Sequence, residues 1–391
     1  MQIQKILPIL YIGLFTVFDP IAFDFLATAL PLIANDLRAT PGNLTGMISY
    51  YLLGVGFAQL WSGEFVDRYG QRISVRIGAV LFLLFGALVA FTQDLYLWYA
   101  ARFVMGMAVG LCITAALSLV RENYAEDGGK ILSIIYGAGN FVGVIAPLLA
   151  GLLISYYGWH SVLWAIASWG IVLVYVAFLL FPHSTVPAPQ PFSWHYWIDA
   201  YKHILSVNEY IIWALLSAFS YGAFLAFITG SSYVFAEGYG IGSTVYSYMY
   251  SLVILVFVVG SFMAERFEAN DKLLRVLKYC TIALCLGSAA IIANALSVQN
   301  FYILVLMILV MSFTTAILIP HGMALALLPF EENKGKASAG IIIMHVIVGS
   351  AVGWGVTIGH HPYGMMIGIG MLLQALAIYW LLGRVKRMPV A

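Results

Sequence analysis

The chain has 391 residues, 62% of them hydrophobic and only 9% charged. A water-soluble protein of this size carries about a quarter charged residues, so a soluble enzyme is excluded. A net charge of +1 supplies no basic field for nucleic acid. The remaining class is an all-α polytopic membrane protein.

A bilayer core takes about 20 apolar residues per helix. Spans are predicted near residues 7–30, 45–64, 75–92, 97–120, 130–155 and 161–182, then 210–235, 244–264, 276–297, 301–327, 337–358 and 363–383. The first contains two acids, Asp19 and Asp24, and is too long to read as a cleaved leader. Residues 183–208 are proline-rich and polar and interrupt the series at its middle. The organisation is therefore six spans in 1–182, a cytoplasmic linker at 183–208, and six spans in 209–391, as in a duplicated transporter with parallel halves. Sixteen of the 18 Lys and Arg residues fall on one side of this arrangement, which places both termini and the linker in the cytoplasm. Arg38 lies in an opposite loop and Arg102 inside span four. Cys112, Cys280 and Cys285 sit in apolar runs and read as small buried hydrophobes.

Between spans two and three stands GEFVDRYGQR, residues 63–72. Gly63 admits a close helix, Asp67 and Arg68 stand at the cytoplasmic mouth, Gly70 permits a tight turn, and Arg72 closes the run. Span four carries Arg102 and Gly106 four residues apart. In span five Gly139, Gly143, Pro147 and Gly151 recur every four residues, one stripe for a close neighbour.

These stretches resemble, in order, the loop signature of the major facilitator superfamily, the Arg-x-x-x-Gly motif of its proton-driven members, and the antiporter motif of its drug/proton exporters. Ala146 departs from the last, which has Gly before the proline. Gly260 and Glu265-Arg266 resemble a worn second copy of the loop signature. DPIAFDFLATALPLIANDL, APLLAGLLISYYGWHSVLW, FITGSSYVFAEGYGIG and IPHGMALALLPFEENKGKASAG resemble the Bcr/CflA group of drug and metabolite exporters. The resemblance implies twelve transmembrane helices in two six-helix bundles. It implies a proton-coupled antiporter exporting amphipathic small molecules or drugs across the inner membrane by alternating access. No cofactor is expected beyond the proton gradient as driving force. The expected partners are a small-molecule substrate, protons and the lipid bilayer, with a functional monomer. The alternative in the same fold is a carrier of a polycarboxylate metabolite or siderophore, in either direction. No nucleophile–base arrangement, phosphate loop or metal cluster suggests an enzyme.

An aspartate at the bilayer centre costs roughly 2.5–3.5 kcal/mol, so Asp19 and Asp24 need a cavity or a counter-charge. Asp24 and Arg102 fall at similar depth and are expected to face one cavity as the proton-coupling pair. Asp24 also matches the aspartate of the Bcr/CflA group. Asp19 lies about 140° around the helix from Asp24, so the two are not a dyad. Three readings of Asp19 stay open: a second proton or cation site, water-mediated support of the backbone at Pro20, or a pair with another residue.

The second half offers His321 and His345 instead of acids, as substrate contacts or as hydrogen-bonded structural residues. Asn140 either lines the cavity or bonds a neighbouring helix. Tyr136, Tyr221 and Phe224 either line an adaptable apolar pocket or pack. No metal site is expected at His360-His361, which has no carboxylate beside it.

Overall fold

The computed structural model describes residues 3–123, 128–182, 194–268, 273–330, 333–357 and 364–385. Every element among them is helical. The chain divides into two compact units, Met1–Phe192 and Ser193–Ala391.

The first unit holds α1 (Ile3–Leu37), α2 (Pro41–Tyr69), α3 (Gln71–Phe91), α4 (Leu95–Asn123), α5 (Gly128–Tyr157) and α6 (His160–Tyr175), the last continued by a π turn at Val176–Leu180. The second holds α7 (Trp194–Ser206), α8 (Asn208–Tyr233) with a π turn at Val234–Gly238, α9 (Ser243–Glu268), α10 (Leu273–Leu296), α11 (Phe301–Leu327), α12 (Lys334–Thr357) and α13 (Met365–Val385). Eleven of the twelve long helices are apolar enough to cross a bilayer by composition. The twelfth, α2, is 29 residues long. It is diluted by Tyr50, Tyr51, Gln59, Trp61 and several glycines. The short α7 lies inside the stretch read as linker and packs on α8 and α12.

The helix ends are dictated locally. Thr40 Oγ1 accepts from Asn43 N at 3.3 Å, with Pro41 opening α2. Asn300 Oδ1 accepts from Tyr302 N at 2.8 Å and so caps α11. A single residue, Gly70, joins α2 to α3. Its φ of 82° and ψ of 159° belong to a region that is essentially glycine-only. Arg76 of α3 donates from Nε and Nη2 to the carbonyls of Ala177 and Phe178, both at 3.3 Å, and caps the π-turned end of α6.

One packing scheme recurs in both units. In the first, α2 packs on α4, α1 on α5, and α3 on α4 and α6; in the second, α9 packs on α11, α8 on α12, and α10 on α11 and α13. This is the internal signature of a duplicated six-helix bundle. Large apolar side chains also point outward, with Leu84, Leu286 and Leu373 more than half exposed. Such a surface suits hydrocarbon, where packing and small residues hold helices together.

Candidate functional site

The closest helix pair in the first unit builds the candidate site. A Cβ on Gly106 of α4 would fall inside the contact distance of the Tyr51 carbonyl oxygen and lie 2.9 Å from Val55 N. Gly54 of α2 meets the Phe103 carbonyl in the same way, and Gly110 meets Ala58. The glycines let the two backbones touch. One turn from Gly106, Arg102 is thereby laid over Tyr51, its Cζ 4.3 Å from the ring centroid. Arg102 is 1% exposed. Its Nη1 donates to the Ala22 carbonyl of α1 at 3.0 Å. The Tyr51 hydroxyl donates in a short bond to Asp19 Oδ1.

Asp19, Ala22, Phe23 and Leu26 share one face of α1 by helical spacing. Phe23 completes the wall beside Tyr51, with ring centroids 6.1 Å apart. Thus Asp19, Tyr51 and Arg102 form one cluster across α1, α2 and α4, with Tyr51 as the bridge. Asp24 is buried, and Thr28 Oγ1 donates to its backbone carbonyl at 3.0 Å. It lies two residues past Ala22, about 200° around the helix, yet within electrostatic reach of the Tyr51 hydroxyl. The void beside Arg102 is bordered by Leu26 of α1 rather than by Asp24. Tyr51 was not singled out from the sequence, because a tyrosine in a span reads first as packing or as an interface anchor.

Replacing Gly106 by Ala is expected to push α4 from α2 and lift Arg102 off its ring. Overpacking of this kind costs typically 1–3 kcal/mol. Thermal unfolding of the purified variant measures the loss; an unchanged midpoint would mean that the close contact is dispensable.

The loop-signature residues fall at the α2–α3 joint. Gly63, Asp67 and Arg68 are exposed, Gly70 makes the joint, and Arg72 is half-buried. Arg68 Cζ lies 5.6 Å from the Tyr69 ring. On α5, Gly143, Pro147 and Gly151 are buried. Gly139 has open space where a side chain would stand, and Asn140 is half-buried. The Tyr136 side chain and His360-His361 lie outside the described residues.

In the second unit, α8, α11 and α12 gather a second buried polar group. Ser217 Oγ donates to the Ile319 carbonyl at 2.9 Å, which uses its one proton. The 2.9 Å contact between Ser217 Oγ and His345 Nε2 must then run from an Nε2–H donor. His345 stacks on Tyr221 with centroids 5.0 Å apart. His321 Nδ1 donates to the Ile317 carbonyl at 2.7 Å, and its Nε2 is buried without a partner among the described residues. Phe224 packs against Phe257. Tyr246 and Tyr250 are buried, whereas Tyr248 is half exposed. Among the described residues no group of three or more His, Cys, Asp or Glu side chains is placed to hold a metal.

A twelve-helix membrane bundle with a buried charged cluster in its first half defines a polytopic membrane carrier. The family model of the Major Facilitator Superfamily matches residues 12–353, and the chain belongs to that family. It is a multi-pass membrane transporter of small molecules, not an enzyme. A bicyclomycin resistance protein homolog of Haemophilus influenzae is 22% identical over 96% of both chains. The multidrug resistance protein MdtL of Escherichia fergusonii is 30% identical over 171 residues, 44% of each chain. Among solved structures, the nucleoside transporter NupG superposes with a TM-score of 0.76 at 14% identity, covering 98% of this chain and 99% of that one. The xylose transporter XylE of E. coli does so with 0.71 at 15% identity, covering 95% and 94%. These likenesses establish the fold.

Proposed function

We propose that the chain is a proton-coupled antiporter that exports amphipathic small molecules across the inner membrane, with both termini in the cytoplasm. The proton gradient is its only driving agent, and it works as a monomer. The observation that carries this reading is the buried Asp19–Tyr51–Arg102 cluster. A carboxylate and a guanidinium sit at membrane depth, joined through one tyrosine whose hydroxyl bonds the first and whose ring face meets the second. Of the three, Asp19 alone is part-buried rather than closed off, so a proton reaches the cluster there. Protonation of Asp19 removes the negative charge that balances Arg102. The guanidinium then loses its counter-charge across Tyr51, an unfavourable state at this depth that favours rearrangement. The drug-resistance relatives support the cargo class.

The driving force is adequate. One charge moved through 100 mV yields about 2.3 kcal/mol, which sustains a gradient of roughly fiftyfold.

Purified chain in liposomes with an internal pH dye, under an imposed pH gradient, tests the reading against lipophilic cations, neutral amphiphiles and polycarboxylates. Proton flux evoked by cations or amphiphiles, and reduced by Asp24→Asn, is the expected result. Full flux in Asp24→Asn would remove Asp24 from coupling. Flux evoked by carboxylates alone would replace drug export with an acid or siderophore carrier. The geometry is unfavourable to that alternative at Arg102, whose 1% exposure leaves no room for a polycarboxylate.

A further inference from the structure

Arg102 donates from Nη1 to Ala22, but its Nε and Nη2 are buried with no partner among the described residues. These two groups form one edge of the planar guanidinium, and their N–H vectors run side by side, the geometry that takes one acceptor with two hydrogen bonds. A buried N–H left unmade is costly, and more so on a charged group. Arg102 also borders a void of about 10 Å³ shared with Leu26 of α1, Gly86 and Val89 of α3, Met105 of α4, and Leu163 and Ile166 of α6. That is the scale of one water molecule. Apart from Arg102 the side chains around it carry no hydrogen-bonding N or O.

We propose that the Nε/Nη2 edge of Arg102 binds one small hydrogen-bond acceptor, a water molecule or a halide ion, in this void. The occupant solvates the guanidinium at membrane depth. Its use in coupling rests on the antiport reading; its presence does not.

Gly86 supplies the test. A Cβ there would meet Met105 Cε at 3.6 Å and Ala167 Cα at 3.7 Å, ordinary contact distances. Gly86→Ala therefore fits, and it narrows the void with a methyl group. In a dry void this change stabilises the chain, because it fills space and improves helix propensity. In an occupied one it displaces the acceptor. Gly86→Ser puts a hydroxyl oxygen in the same place and restores an acceptor to Arg102.

The readout is thermal unfolding of the purified full chain, with transport measured in parallel. The expected order of midpoints is native and Gly86→Ser together, with Gly86→Ala lower by roughly 2–4 °C. A rise in Gly86→Ala overturns the proposal. An equal fall in both variants also overturns it, since crowding alone would do that. Exchanging chloride for gluconate at constant ionic strength identifies the occupant. No change assigns water, and a fall seen with Gly86 but not with Gly86→Ala assigns a halide. If the order of midpoints holds while no variant, nor the native chain, shows proton-coupled flux, the site stands and the antiport reading fails.

Discussion

Asp19→Asn is expected to remove most pH-driven transport while the chain still folds. The carboxylate is the negative end of a buried cluster whose positive end, Arg102, is 1% exposed. Removing one partner of a buried charge pair typically costs 3–5 kcal/mol, because the other charge is left uncompensated. Asp19 is only part-buried, so the lower end applies, a loss of about 3 kcal/mol of stability. The loss is specific to the charge. Asparagine keeps the shape and still accepts from Tyr51, but it takes up no proton at physiological pH. Arg102→Met in the same chain should recover much of the lost stability and none of the transport. A double-mutant cycle on thermal midpoints, with proteoliposome flux alongside, reads both quantities. Additive stability losses would mean that Asp19 and Arg102 do not feel one another, and full flux in Asp19→Asn would leave coupling to Asp24 alone.

Tyr51 carries two separable duties, and two substitutions divide them. Tyr51→Phe keeps the ring beneath Arg102 but deletes the donor to Asp19. A hydrogen bond to a charged group contributes about 1.5–3 kcal/mol, so transport should fall tenfold or more. A carboxylate that loses its donor holds a proton more readily, so the pH profile should move toward higher pH. Tyr51→Leu also deletes the ring face. The desolvated cation–π contact adds about 2 kcal/mol, and the folded yield should drop as well as the flux. A merely structural role would make both variants lose yield and leave the pH profile in place. Measuring flux as a function of pH for the two variants decides between these outcomes.

The fold was legible in the sequence because its determinants are local. Span length and the glycine at position 70 act within a few residues of themselves. The helix α7 was not legible, since a 13-residue helix behind three prolines leaves little signal of its own. The charged ends of the cluster were visible as well, because an acid or an arginine in an apolar run stands out at once. Tyr51 did not stand out. Its role depends on two partners, 32 and 51 positions away, brought to it by Gly54 and Gly106. The Arg102–Gly106 spacing announced a motif. Only the backbone contact at Tyr51 explains why the glycine stands one turn from the arginine. The expected pairing of Asp24 with Arg102 came from depth along the helices alone. Depth says nothing of azimuth, and it is azimuth that sets Asp19 beside Tyr51.

The Ser217 arrangement in the second unit has a directional consequence. His345 gives its Nε2 proton to the serine oxygen, and the serine gives its own to the Ile319 carbonyl. Every bond in that short wire points the same way and ends on a backbone oxygen that already has its donor. Along this one path a proton meets a cul-de-sac.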